Sequence, residues 1–242
     1  MTIDIEEIYK TTLERYRIAR QNLDAQKSFL EHRAGPISDV IPGYSADELQ
    51  FGSYAKENYA VLFVDMKKST SRAHTVGAEI TFLTMHVYLS ALLEVVKRRG
   101  GRVIDIMGDG LMVFWGGEAA RSKKGEHKGI AAQNAGLCGL DMLAVNDKVI
   151  NRIISEEHLG KKVSIGVGVT YGSVIVTKIG INDIYDVKAF GNCVNDASHF
   201  ADGAFNEVWA SKDVTELWPS SKGGKIFFNP ARGGDAFVLQ SH

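Results

Sequence analysis

Two aspartates carry the strongest chemical signal in this 242-residue sequence. Asp65 closes the apolar run Ala60-Val61-Leu62-Phe63-Val64, and Asp109 sits in Gly108-Asp109-Gly110 between two further apolar stretches. Such runs read as strands, and a strand delivers its last residue to a surface. Carboxylates on two neighbouring strand ends can hold divalent cations such as Mg²⁺ or Mn²⁺ over a triphosphate, because hard cations prefer oxygen donors and neutralise phosphate charge. Taken singly, each aspartate has other uses. An Asp after a strand caps a helix or turns the chain, and an Asp before Gly suits the left-handed backbone of a tight hairpin. It is the pair that points to metal. Asp65 is followed by Met66 and then by the polar segment Lys67-Lys68-Ser69-Thr70, which leads into a helix. The first N–H groups of that helix are placed to cradle phosphate.

Several elements must position these groups. Residues 60–66 read as a central strand, and residues 80–98 as a helix with Leu83, Val87, Leu92 and Val96 on one face and a stop at Gly100-Gly101. Residues 102–107 and 111–115 read as strands joined by a tight Asp-Gly hairpin. A helix over 129–145 follows, then a strand pair over 162–170 and 174–179, a short strand over 187–190 and a helix over 192–201. Smaller strands are expected near Val208 and Phe237. The order β-α-β-β-α-β defines an α+β, ferredoxin-like core with extra strands at its carboxyl end. Upstream, residues 4–32 lack Pro and Gly, and they space Ile5, Ile8, Leu13, Tyr16, Leu23 and Leu30 as an amphipathic helix. Gly35-Pro36 and Pro42-Gly43 break it. The chain therefore divides into a helix and linker over 1–54 and a domain over 55–242. The helix could dimerise the chain, cover the domain as a lid, or simply pack against it.

The sequence is 45% hydrophobic and 24% charged, with a net charge of −1, so it offers no electrostatic case for nucleic acid or an anionic membrane. Its uninterrupted apolar runs are too short to span a bilayer. The acidic start Met1-Thr2-Ile3-Asp4-Ile5-Glu6-Glu7 is unlike a signal peptide. Cys138 and Cys193 are then expected as reduced thiols, and the expected compartment is the cytoplasm.

Four motifs in order resemble the catalytic domain of class III nucleotidyl cyclases. They are Asp65-Met66-Lys67-Lys68-Ser69-Thr70, then Gly108-Asp109-Gly110, and then Gly168-Val169-Thr170-Tyr171-Gly172-Ser173-Val174 running to Ile179-Gly180. The fourth, Gly191-Asn192-Cys193-Val194-Asn195-Asp196-Ala197, stands complete. The resemblance implies that Asp65, Asp109 and the Met66 carbonyl hold two Mg²⁺ or Mn²⁺ ions per site. It also implies that a ribose 3′-hydroxyl attacks the α-phosphorus of a nucleoside triphosphate and that pyrophosphate leaves. In that family the site lies between two subunits, so a homodimer is expected, with the metal carboxylates of one chain facing the base-reading and transition-state residues of the other.

By the same resemblance, Asp105 and Lys188 occupy the base-reading positions, Asn195 holds the ribose, and a basic residue such as Arg232 or Lys225 binds the terminal phosphates. Two departures stand out. Adenylate cyclases pair Lys with Asp or Thr, and guanylate cyclases pair Glu with a small residue; Asp105 with Lys188 is neither. An acceptor beside a donor suits the N3–H and O4 of uracil, and also the edges of cytosine and guanine. The two could equally form a plain ion pair. The second departure is His199, which stands where the family has an arginine. A histidine can replace that charge only as imidazolium, a minority form at pH 7.5 for an ordinary pKa of ~6.5. Arg102 or Arg232 could substitute.

The single domain, the helical extension and the unusual base pair resemble the pyrimidine cyclases of antiphage Pycsar systems. That implies cyclic UMP made from UTP, ahead of CTP, as a messenger in antiviral defence, with a cyclic-nucleotide effector protein acting in trans. Tyr54 and Tyr59 are candidates to narrow the pocket. The alternatives are an adenylate or guanylate cyclase with an unusual pocket and a catalytically silent cyclase-like domain.

Overall fold

The computed structural model describes residues 3–24, 40–41, 44–45, 49–117, 126–181, 184–219 and 224–241. The expected breaks at Gly35-Pro36 and Pro42-Gly43, and the helix beyond Asp24, lie outside the described residues.

Helix α1 (Ile5–Asp24) buries Ile8, Thr12, Tyr16 and Ala19, a stripe spaced by one helical turn. Two short strands, β1 (Val40–Ile41) and β2 (Tyr44–Ser45), pair with each other. The core follows: β3 (Tyr54–Met66), α2 (Ser69–Arg98), β4 (Arg102–Met107), β5 (Gly110–Gly116), α3 (Glu126–Val145) and β6 (Ile165–Ile181). One turn of π-helix (Asn146–Ile150) carries α3 straight into α4 (Asn151–Glu156). Beyond β6 lie β7 (Ile184–Phe190), α5 (Asn192–Gly203), β8 (Val208–Ala210), α6 (Lys212–Leu217), β9 (Ile226–Pro230) and β10 (Phe237–Ser241).

The main sheet runs β4-β5-β3-β6-β8-β10-β9, with β7 also on β6. Its first four strands have the expected ferredoxin-like arrangement. Strands β7 and β8 share one edge of β6, whose other edge pairs with β3 over the whole of Tyr54–Met66. The strand pair expected over 162–170 and 174–179 is instead the single strand β6. Gly172 sits inside it, where a Cβ would come within 2.9 Å of the Cys193 side chain. That glycine admits a neighbouring helix and does not mark a turn.

The two faces of the sheet carry separate cores, because alternate residues of a strand point to opposite sides. Ala60, Leu62 and Val64 face α1, α2 and α3, whereas Tyr59, Val61 and Phe63 face α5 together with Ile104 and Val187. Helix α2 is long and apolar enough to cross a membrane by length and composition. Here it buries Leu83, Val87, Tyr88, Leu92, Val95 and Val96 in the same core as α1 and α3. It also begins earlier than the expected residue 80. Its first two turns end at Gly77, whose φ of 81° kinks it. Both cysteines are buried: burial pushes the Cys193 thiol up to about 11 and the Cys138 thiol higher still.

Candidate active site

Strand β3 ends beside the β4–β5 hairpin. Val64 pairs with Leu111 and Asp65 with Gly166, while Met107 pairs with Gly110 across the two-residue turn Gly108-Asp109. Gly108 has a φ of 63°, the conformation that the turn requires. The Asp65 carboxylate lies over Gly110, with Oδ1 3.8 Å from the place of a Cβ there. The structure thus brings Asp65 and Asp109 together. Burial raises the Asp65 pKa, and the neighbouring charge of Asp109 raises it further, against a smaller opposing effect of Lys67. Asp109 Oδ2 is buried without a hydrogen-bond partner.

An orphaned oxygen and two repelling carboxylates are features that a divalent cation would relieve. Among the described residues no third Asp, Glu, His or Cys joins them in a metal-binding group. Two carboxylates and a carbonyl suit a hard cation whose remaining ligands are waters and phosphate oxygens.

The turn after Met66 is tight. Lys67 N–H donates to the Ser164 carbonyl at 2.8 Å, and Lys68 adopts a left-handed φ of 58° before α2 starts at Ser69. Thr70 is exposed and Ser69 partly so. Lys67 does not reach outward. Its ammonium donates to the Ala201 carbonyl at 2.5 Å and the Asp202 carbonyl at 2.7 Å, both at the carboxyl end of α5, where a cation is favoured. The Asp65 end of β3 is therefore tied to the helix that carries Asn195 and His199.

That helix lies directly on β6. A Cβ at Gly166 would meet the Ala201 carbonyl oxygen at 2.1 Å, and one at Gly168 the Ala197 carbonyl oxygen at 2.0 Å. Only glycine permits this approach. Asn195, His199 and Asp202 are all exposed, and their spacing of four and three residues places them on one stripe of α5. Asp202 raises the Asp65 pKa, so the stripe ends near Asp65 and Asp109. Sequence reading passed over Asp202, although its place seven residues after Asn195 marks that shared face.

Asp105 lies within electrostatic reach of Lys188, whose ion partner is Asp186. A bulge between Val103 and Asp105 sets Asp105 opposite Met112, on the α5 side of the sheet. Lys188 pairs with Thr177 on β6, and its Nζ is 2.5 Å from Asp186 Oδ2. The Asp186 hydrogen bond holds the Lys188 ammonium above its ordinary pKa, and the Asp105 charge adds to the effect. Asp186 is a further member of this cluster. Its signal in the sequence is its position two residues before Lys188, on the same face of a strand.

Tyr54 is 70% exposed and lies on the same rung as Thr177 and Lys188. Tyr59 has no exposed surface and packs on Phe114 at 5.1 Å, so it borders no open pocket. Arg102 and Lys225 are exposed on β4 and just before β9. Arg232 is exposed in the β9–β10 turn, which continues past the Ala210–Phe237 pair, away from Asp65.

Residues 51–222 match the adenylate and guanylate cyclase catalytic domain. The chain belongs to this family, the class III nucleotidyl cyclases, lyases that close a nucleoside triphosphate to its cyclic monophosphate. Among curated relatives, it is 26% identical to a uridylate cyclase of Gulbenkiania mobilis over 189 residues, spanning 74% of this chain and 70% of that protein. It is 23% identical to an adenylate cyclase of Anabaena cylindrica over 180 residues, which is a third of that protein's length (33%) and 74% of this chain. Among solved structures, the adenylyl cyclase CyaB from P. aeruginosa superimposes with a TM-score of 0.65 at 21% identity, covering 78% of this chain and 96% of that one.

Proposed function

We propose that this protein is a homodimeric uridylate cyclase, converting UTP to 3′,5′-cyclic UMP and pyrophosphate as a messenger in antiviral defence. What supports the base assignment is an acceptor and a donor at these positions, Lys188 being held by Asp186 at 2.5 Å and lying within reach of the Asp105 charge. A carboxylate accepts from uracil N3–H while an ammonium donates to O4. Asp186 leaves Lys188 charged and oriented. The exposed Tyr54 on the same rung offers a flat wall to a small base. The similarity to the Gulbenkiania mobilis protein points the same way.

Asp65, Asp109 and the Met66 carbonyl would hold Mg²⁺ or Mn²⁺, two per site; bound there, the cations lower the pKa of the ribose 3′-hydroxyl and neutralise the triphosphate. The open N–H groups at Ser69 and Thr70 receive phosphate oxygens. From the second copy, Asn195 orients the ribose, His199 faces the α-phosphate in place of the family's arginine, and Arg232, remote from Asp65 within its own chain, reaches the terminal phosphates. The 3′-oxygen bonds to the α-phosphorus, the bond to the bridging oxygen breaks, pyrophosphate carries that electron pair away, and the hydroxyl proton passes to solvent. Atoms and charge balance with no other reactant. Ile175, Ile179, Ile181, Tyr185 and Phe190, apolar and 40–72% exposed along β6 and β7, provide the surface on which a second copy completes the site. An effector protein that reads the cyclic nucleotide acts separately, in the cytoplasm.

The test is product analysis. With Mn²⁺ and ATP, GTP, CTP or UTP offered singly, mass spectrometry should find cyclic UMP, and the Asp65→Ala protein should make none. Cyclic AMP or GMP would remove the base assignment and keep the cyclase. No product from any of the four would favour a silent cyclase-like domain lacking the arginine that His199 replaces.

A further inference from the structure

Tyr88 on α2 has no exposed surface, and its hydroxyl has no hydrogen-bond partner. Its ring packs in the same core as Val64 and Leu111, the residues beside Asp65 and the Gly108-Asp109-Gly110 turn, and the charges of Asp109 and Asp65 both act on the hydroxyl. Asp109 Oδ2 is also buried and also lacks a partner. A donor and an acceptor, complementary in type, are thus both buried and unpaired in this part of the fold.

A buried tyrosine hydroxyl ordinarily finds a partner, and an unmade bond of this kind is costly. Phenylalanine would fill the same space among Leu83, Val87 and Leu92 without that cost. Packing therefore explains the ring and leaves the oxygen unexplained. Asp109, for its part, occupies a two-residue turn, which fixes its backbone and leaves its side chain without a hydrogen bond on the inner oxygen.

We propose that Tyr88 is the positioning residue of the cation site. Its hydroxyl donates to Asp109 Oδ2 when a divalent cation engages the other oxygen, and so it fixes the carboxylate from behind. Outer groups of this kind orient ligands in many metal sites. The proposal rests on the reading of Asp65 and Asp109 as cation ligands.

The experiment is Mn²⁺ binding to the full chain without nucleotide, followed by the loss of the free-ion paramagnetic signal, together with melting of the metal-free protein. Tyr88→Phe should weaken Mn²⁺ by about 10-fold or more while leaving the metal-free melting temperature unchanged or raised. In an Asp109→Asn background, Tyr88→Phe should have no further effect. Unchanged affinity in Tyr88→Phe, with Asp109→Asn still impaired, would overturn the role of the hydroxyl alone. Equal binding by the native and Asp109→Asn proteins would overturn the cation reading and this proposal with it. A Tyr88→Phe protein that does not fold would assign the hydroxyl to the core, and that too would overturn it.

Discussion

At the scale of single residues, the site is organised by groups that the fold leaves in tension. Asp65 is partly buried beside Asp109, and its carboxyl is raised above the ordinary carboxylate value by burial and by that neighbour. A group whose folded pKa is raised contributes stability that is fully present below its unfolded value, ~3.9, and lost as pH rises through the folded value. The metal-free protein therefore carries a penalty at neutral pH. Asp65→Asn should raise its melting temperature at pH 7.5 in chelator, and the gain should shrink as pH falls through the raised folded value and be gone below about 4. Melts across that range check it; a loss that is constant with pH would mean that Asp65 has a structural role. The paired carboxylates were legible because one lies at the end of an apolar strand and the other in an Asp-Gly hairpin turn, and both features can be read from local pattern. Asp186 and Tyr88 were harder. Asp186 needs the register of β7 against β6, and Tyr88 is indistinguishable by pattern from any large residue on the buried stripe of α2.

At the scale of elements, the approach of α5 to β6 decides where Asn195 and His199 stand. Gly168 leaves no room for a Cβ, and the atoms it would strike belong to the α5 backbone, which cannot swing aside as a side chain would. Gly168→Ala should cost about 3 kcal/mol, the upper part of the usual range for overpacking. In a chain of this size that lowers the melting temperature by roughly 6–12 °C. Turnover should fall further than stability alone explains, because the displaced helix carries Asn195 and His199, the residues proposed for the ribose and the α-phosphate. Denaturation and steady-state rates on the one variant separate the two effects. The same glycines mark where sequence reading ends. Gly108-Asp109-Gly110 announces a hairpin through local backbone preference alone. Thr170-Tyr171-Gly172-Ser173 has the composition of another turn, yet Gly172 answers to Cys193, twenty-one residues further on, and the strand runs straight through. A short-range pattern cannot distinguish a glycine that bends the chain from one that admits a neighbour.

At the scale of the whole molecule, α1 is continuous with the catalytic body. Ile8, Tyr16 and Ala19 share a core with α2 and α3, Tyr9 donates to Glu156 at 2.6 Å, and Arg98 pairs with Glu7 at 3.0 Å. Helix α1 packs against the domain, one of the roles open to it from sequence. A composite site makes a separate demand on the assembly. Asp65→Ala and Asn195→Ala should each be inactive alone. Mixed and allowed to exchange subunits, they should recover about a quarter of native activity, because half of the dimers are mixed and one of their two sites is intact. No recovery after confirmed exchange would place both residues in one site of one chain.

The burial of Cys138 and Cys193 has a practical consequence. Their thiols are shut in on opposite sides of the sheet, and burial holds both as the unreactive protonated form. An alkylating reagent therefore meets a native surface on which neither cysteine is available, and it modifies them only as fast as the structure opens. The two sulfurs serve as built-in clocks for that opening, one for the layer containing α1, α2 and α3 and one for the layer beneath α5. Any cysteine introduced at an exposed position, such as that of His199, would be labelled against a silent background.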